Sequence, residues 1–176
     1  VIAAALGKYD RPPTALGWEN CRTSLRNLAE RAAASDMTLG IEVVNRYDSI
    51  NTAEQALQMI DEIGAPNVVV HLDTYQMNIE EENYRKPVLA AGDKLGYVHI
   101  SESHRGYLGT GTVDFDTFFA TLRELGYEGP VVFESFSSKV VSPALSNTLG
   151  IWREHWQDGM DLAVHAHAFM AERLTD

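Results

Sequence analysis

Four short apolar runs each carry a potential metal-ligating side chain at or near the carboxyl end. These are Glu42 in GIEVVNRYD, Asp73 in VVVHLDTYQMNIEE, His99 in YVHISESHR and Glu134 in PVVFESF. A charged group inside a buried strand is costly unless it is paired or binds a cation. Taken singly, each reads as well as half of an ion pair or a satisfied core polar group. Recurring at equivalent positions of consecutive units, the four point to one shared centre. Three carboxylates and one imidazole make a mainly hard-oxygen donor set, which suits Mn²⁺ first, then Mg²⁺ or Co²⁺, and Zn²⁺ less.

The runs at 39–44, 68–72, 97–100 and 131–133 are continuous rather than alternating, as in strands buried on both faces of a parallel sheet. They start 29, 29 and 34 residues apart, the size of a strand-plus-helix unit. Residues 1–6 are a candidate fifth strand. Between the runs lie helical patterns. One covers 18–34, with Leu25, Leu28 and Ala32 as its stripe. One follows Thr52 and closes at Gly64, and one is capped by Asp114 or Asp116 and closes at Gly126. After Pro143 the pattern is helical to the end, with an interruption near Gly159.

Regular alternation of this kind means a doubly wound sheet or a (β/α)8 TIM barrel. The phosphate-binding glycine loop expected early in a doubly wound fold is missing, since Gly109 and Gly111 make only an isolated GxG. That favours the barrel. A complete barrel typically takes about 250 residues, against 176 here. The expected fold is therefore α/β, the later part of a barrel, about its β4 to β8, forming a single domain over 1–176 that lacks its N-terminal units. The first residue, Val rather than Met, agrees with a fragment.

Lys and Arg number 14 against 25 Asp and Glu, a net charge of −11 with no basic run. Nucleic acid and anionic membrane are poor partners for such a chain. One cysteine, Cys21, cannot form an internal disulfide, which suits a reducing, cytoplasmic setting. No apolar run approaches the roughly 18 residues of a spanning helix.

The sequence around the four residues resembles the D-tagatose 3-epimerase and D-psicose (allulose) 3-epimerase family, within the xylose-isomerase-like barrels. The likeness runs from about Trp18 to Trp152. It rests on IEVVNRY at 41–47, LDTYQMNIEE at 72–81, His99 followed by Arg105, FES at 133–135, and GIWRE at 150–154. The resemblance implies a homo-oligomeric barrel with one divalent metal, acting on a small-molecule carbohydrate. It implies Glu42, Asp73, His99 and Glu134 as ligands, Glu42 and Glu134 as the acid/base pair, and Arg105 as a substrate-binding residue. Epimerisation beside a ketone needs two such carboxylates, one on each side of the carbon. A cation bridging the carbonyl and neighbouring hydroxyl stabilises the enediolate. No organic cofactor is needed.

Two positions depart from the family's pattern. Gln76 stands where the epimerases commonly have histidine in DT(F/Y)HMN, and Asp48 where they have glutamate after VVNR(F/Y). Both positions contact substrate in the family. Gln cannot titrate near neutral pH and Asp is one methylene shorter than Glu, so substrate identity is open. An aldose–ketose isomerase or keto-inositol dehydratase on the same scaffold would share the first step. An apurinic-site endonuclease would need more histidines and a basic face. A chain lacking its first strands could also be inactive alone, with open sheet edges to cover.

Other residues invite plainer readings. His71 should point to the same side as Asp73, either as a supporting partner or as a core histidine. His104 lies in a glycine-rich loop, exposed or part of a lid. His165 and His167 read as surface or packing residues. Glu80 and Glu81 read as the start of a helix, and Trp152 with Trp156 as a packing or oligomer stripe.

Overall fold

The computed structural model describes residues 2–3, 14–44 and 49–175. Five parallel strands form one sheet: β1 (Ile2–Ala3), β2 (Leu39–Glu42), β3 (Val68–Asp73), β4 (Leu95–Ile100) and β5 (Val131–Phe133). Their spatial order is the order of the chain. A doubly wound sheet reverses that order at a switch point, whereas uninterrupted succession is the barrel arrangement. The described residues are thus part of a TIM barrel.

The helices follow from local signals. Helix α1 (Ala15–Ala33) begins earlier than its apolar stripe suggests, because Thr14 Oγ1 accepts from Gly17 N at 3.0 Å. Helix α2 (Ala53–Ile63) opens with a capping box between Thr52 and Gln55 and closes at Gly64, φ 71°. Two short helices escape the sequence pattern, α3 (Thr74–Glu80) and α4 (Arg85–Ala91). Helix α5 (Phe115–Leu125) takes Asp114, not Asp116, as its cap. After Pro143 the chain forms α6 (Pro143–Leu149), leaves the helix at Gly150, φ 66°, and resumes it only in α7 (Gly159–Leu174).

Glu80 ends α3 rather than opening a helix, and the Glu81 carboxylate instead accepts from Ala53 N at 2.7 Å, at the start of α2. Its charge still faces a helix N-terminus, but that of a neighbouring unit. Trp152 and Trp156 lie in the non-helical segment 150–158, so they form no helical stripe. Trp156 Nε1 donates to Ser135 Oγ and Ser137 Oγ donates to Trp156 O, which ties this segment to the chain after β5.

Ile41, Val70, Leu72, Val98 and Ile100, each at most 1% exposed, pack outward with Met59 and Ile60 of α2, Val88 of α4, and Phe118, Phe119 and Leu122 of α5. Each such side chain contributes roughly 1.5–3 kcal/mol by leaving water. Strand alternation then turns Gly40, Glu42, His71, Asp73, Tyr97 and His99 to the opposite, inner face.

Candidate metal centre

Glu42 is the last residue of β2, Asp73 the last of β3, His99 the penultimate residue of β4, and Glu134 directly follows β5. One ligand atom from each lies within 4.8 Å of the others. His99 Nδ1 is 3.4 Å from Glu42 Oε1 and 3.8 Å from Glu134 Oε1. The structure therefore brings together all four residues singled out by type and position.

Arg105 closes the cluster. Its Nη1 donates to Glu134 Oε2 and to Ser101 Oγ, both at 2.6 Å, and lies 3.0 Å from Asp73 Oδ2. That last contact is an ion pair without hydrogen-bond alignment. The guanidinium sits 3.9 Å above the centre of the Tyr75 ring, a cation–π contact that fixes its plane. Arg105 holds a left-handed φ of 60°, and its N donates to Glu102 O at 2.8 Å.

Burial dominates the electrostatics of Asp73 and pushes its carboxyl up to about 6, against the pull of Arg105. For His99, burial acts downward, but contact with Glu42 and the charges of Glu134, Asp73 and Glu42 together raise it. For Glu42, burial acts upward, yet contact with His99 and the charges of His71, His99 and Arg105 hold it below the usual carboxylate range. The donor set fits a divalent cation on two counts. Three carboxylates and an imidazole match a hard-oxygen site with one nitrogen. Moreover, among the described residues buried Asp73 Oδ2 and His99 Nδ1 have no hydrogen-bond partner, a place that a cation would fill.

A cavity of about 400 Å³ adjoins the cluster, with Tyr75, Gln76, Arg105, Phe136, Trp152 and His155 among its lining residues. Gln76 is buried and its Oε1 has no hydrogen-bond partner among the described residues. Arg105 and Gln76 thus face one space, while Asp48 lies outside the described residues.

Sequence reasoning missed Glu102, which is fully buried. Its carboxylate accepts from Ser103 N at 2.7 Å, Gly109 N at 2.9 Å and Val113 N at 3.3 Å, pinning both ends of the loop that carries Arg105. The loop's glycines could have signalled close packing: a Cβ at Gly111 would lie 2.4 Å from Glu102 Oε1. His104 is half-buried and ordered by Gly106 N and by stacking on His155 at 4.9 Å. His165 packs between Tyr107 and Phe169, as expected of a packing residue, and His167 is exposed. Ser101 and Thr74, also unforeseen, exchange two hydrogen bonds that lock the start of α3 to the end of β4.

Comparison with known proteins agrees with this geometry. A ketose 3-epimerase of Arthrobacter globiformis is 52% identical over 177 residues, covering 99% of this chain and 61% of that protein. An L-ribulose 3-epimerase of Methylomonas sp. (strain DH-1) is 53% identical over 175 residues, 98% of this chain and 61% of the relative. The crystal structure of a D-allulose 3-epimerase from Methylomonas sp. in complex with D-allulose superposes with a TM-score of 0.92 at 53% identity, over 96% of this chain and 59% of the other. The chain thus spans about three-fifths of the length of these relatives. The profile of the xylose isomerase-like TIM barrel family matches residues 1–167. With nearly its whole length matched and its strands in barrel order, the chain belongs to the xylose isomerase-like TIM barrel family.

Proposed function

We propose that this protein is a divalent-metal-dependent ketose 3-epimerase. The observation that carries the reading is the convergence of Glu42, Asp73, His99 and Glu134 within 4.8 Å at the carboxyl ends of four successive strands. The names of similar relatives, a ketose 3-epimerase and an L-ribulose 3-epimerase, support it. Mn²⁺ is the proposed ion, held by those four residues, because oxygen donors outnumber nitrogen three to one. A bound divalent cation supplies Lewis-acid polarisation of the substrate carbonyl.

Glu42 and Glu134 are the proposed proton carriers. Glu42 ends β2 and Glu134 directly follows β5, with two strands between, a separation that supports their serving opposite faces of a bound sugar. One removes the proton beside the ketone and the other returns a proton to the opposite face. Glu42 is held ionised at neutral pH by its neighbours, the state a base requires. Arg105 and Gln76 orient hydroxyl oxygens from the adjoining cavity, with Asp48 as a third substrate contact. The chain is taken as the later units of one barrel domain, cytoplasmic, in a homo-oligomer, for which exposed Leu145, Leu149 and Trp152 offer apolar surface. Among the described residues no helix is long and apolar enough to cross a membrane.

The test is proton NMR of a free ketose incubated in deuterated water with full-length protein and Mn²⁺. Deuterium should enter at C3 together with the C3 epimer. Exchange at C1 with aldose formation, or no exchange, would overturn the reading.

A further inference from the structure

The four-ligand centre leaves one buried imidazole unused. His71 is completely buried and pairs with Glu42 across the β2–β3 ladder. Among the described residues neither of its ring nitrogens has a hydrogen-bond partner. Its ring meets that of His99 edge-on, with centroids 4.3 Å apart. One ligand atom from each of Glu42, His71 and His99 lies within 4.8 Å of the other two. A polar ring buried with both nitrogens unsatisfied costs free energy, and that cost is offset when a nitrogen binds a cation.

We propose that Glu42, His71 and His99 form a second, inner cation position, selective for nitrogen-seeking divalent ions such as Zn²⁺. It lies one strand layer deeper than the four-ligand centre, since His71 precedes Asp73 by two residues on the same face. Two imidazoles and one carboxylate favour zinc-like ions over Mn²⁺. The two positions share Glu42 and His99, so a single ion occupies one or the other. An ion held inside has no bond to Asp73 or Glu134. The site thus sorts cations by donor preference, with the inner position sequestering the ion that oxygen donors hold less well. The proposal draws on the proposed function only in taking Glu42 and His99 as able to bind a cation.

The experiment uses chelator-stripped protein titrated separately with Zn²⁺ and with Mn²⁺, together with zinc X-ray absorption spectroscopy of the loaded sample. Wild type should show two imidazoles on zinc. His71→Phe, which keeps a ring against Tyr97 and His99, should show one imidazole and lose roughly tenfold or more in Zn²⁺ affinity, while Mn²⁺ affinity changes less than about threefold. His71→Asn gives the same comparison if the phenylalanine variant does not fold. One imidazole on zinc in the wild type, or a parallel fall in both affinities, overturns the inner position. Neither readout depends on epimerase activity, so an enzyme inactive on ketoses would refute the proposed function and leave this result standing.

Discussion

Asp73 and His99 face each other across the β3–β4 ladder because β4 holds one residue more than β3 where the strands meet. Val70 pairs with Leu95, but His71 pairs with Tyr97, which leaves Gly96 as a bulge. Were Gly96 paired with His71 instead of being skipped, Asp73 would stand opposite Val98 and the imidazole would fall out of register. A Cβ at Gly96 would lie 2.4 Å from Val69 Cγ2, closer than real contacts allow.

Gly96→Ala should therefore destabilise the protein by about 1–3 kcal/mol through overpacking and weaken divalent-cation binding as His99 shifts. Val69→Ala added to it should restore part of the stability. Denaturant unfolding and metal titration of the two variants and the wild type check this, and an unchanged metal affinity in a folded Gly96→Ala protein would count against the bulge as the aligning device.

The two-carboxylate mechanism predicts an asymmetry. Glu42→Gln and Glu134→Gln should each cut epimerisation by roughly 10²–10⁴-fold. Each variant should still exchange solvent deuterium into one epimer and not the other, with the preference reversed between them. Exchange from both epimers in either variant would show that the two residues do not divide the faces.

Metal binding should weaken in acid. Two of the ligands hold protons more tightly in the metal-free site than isolated side chains do, Asp73 being raised to about 6 and His99 lying above its ordinary value. A cation must displace those protons. Apparent affinity should rise with pH through this range, then level off, and below about pH 6 it should fall by roughly tenfold per pH unit for each proton displaced. Titrations of chelator-treated protein from pH 5 to 8 measure the slope; a flat profile would contradict the raised values.

Glu102 should act through the loop it pins. Glu102→Gln replaces an oxygen acceptor with an amide NH₂ facing backbone donors, a loss of about 1–3 kcal/mol. Hydrogen exchange at the amides of Ser103, Gly109 and Val113 should speed up, and KM for the ketose should rise more than kcat falls, because Arg105 rides on that loop. Protection unchanged at these three amides would show that the loop is held by other contacts.

Much was legible from residue type and order alone. Continuous β-branched runs at unit spacing forecast the parallel strands, and one polar residue at each carboxyl end forecast the cluster, because neither signal needs knowledge of what lies across the sheet. Thr52 with Gln55 and the glycines at 64 and 126 marked helix ends through contacts within a few residues. Tertiary structure alone decided the Gly96 bulge and Glu81 capping a helix in the preceding unit. It also decided Glu102 as anchor of the Arg105 loop and the break between Leu149 and Gly159. The bulge, the Glu81 cap and the tie of the 150–158 segment depend on partners distant in the chain, Val69 against Gly96, Ala53 N against Glu81, and Ser135 against Trp156. Local periodicity and propensity carry no information about such partners until the strands stand side by side.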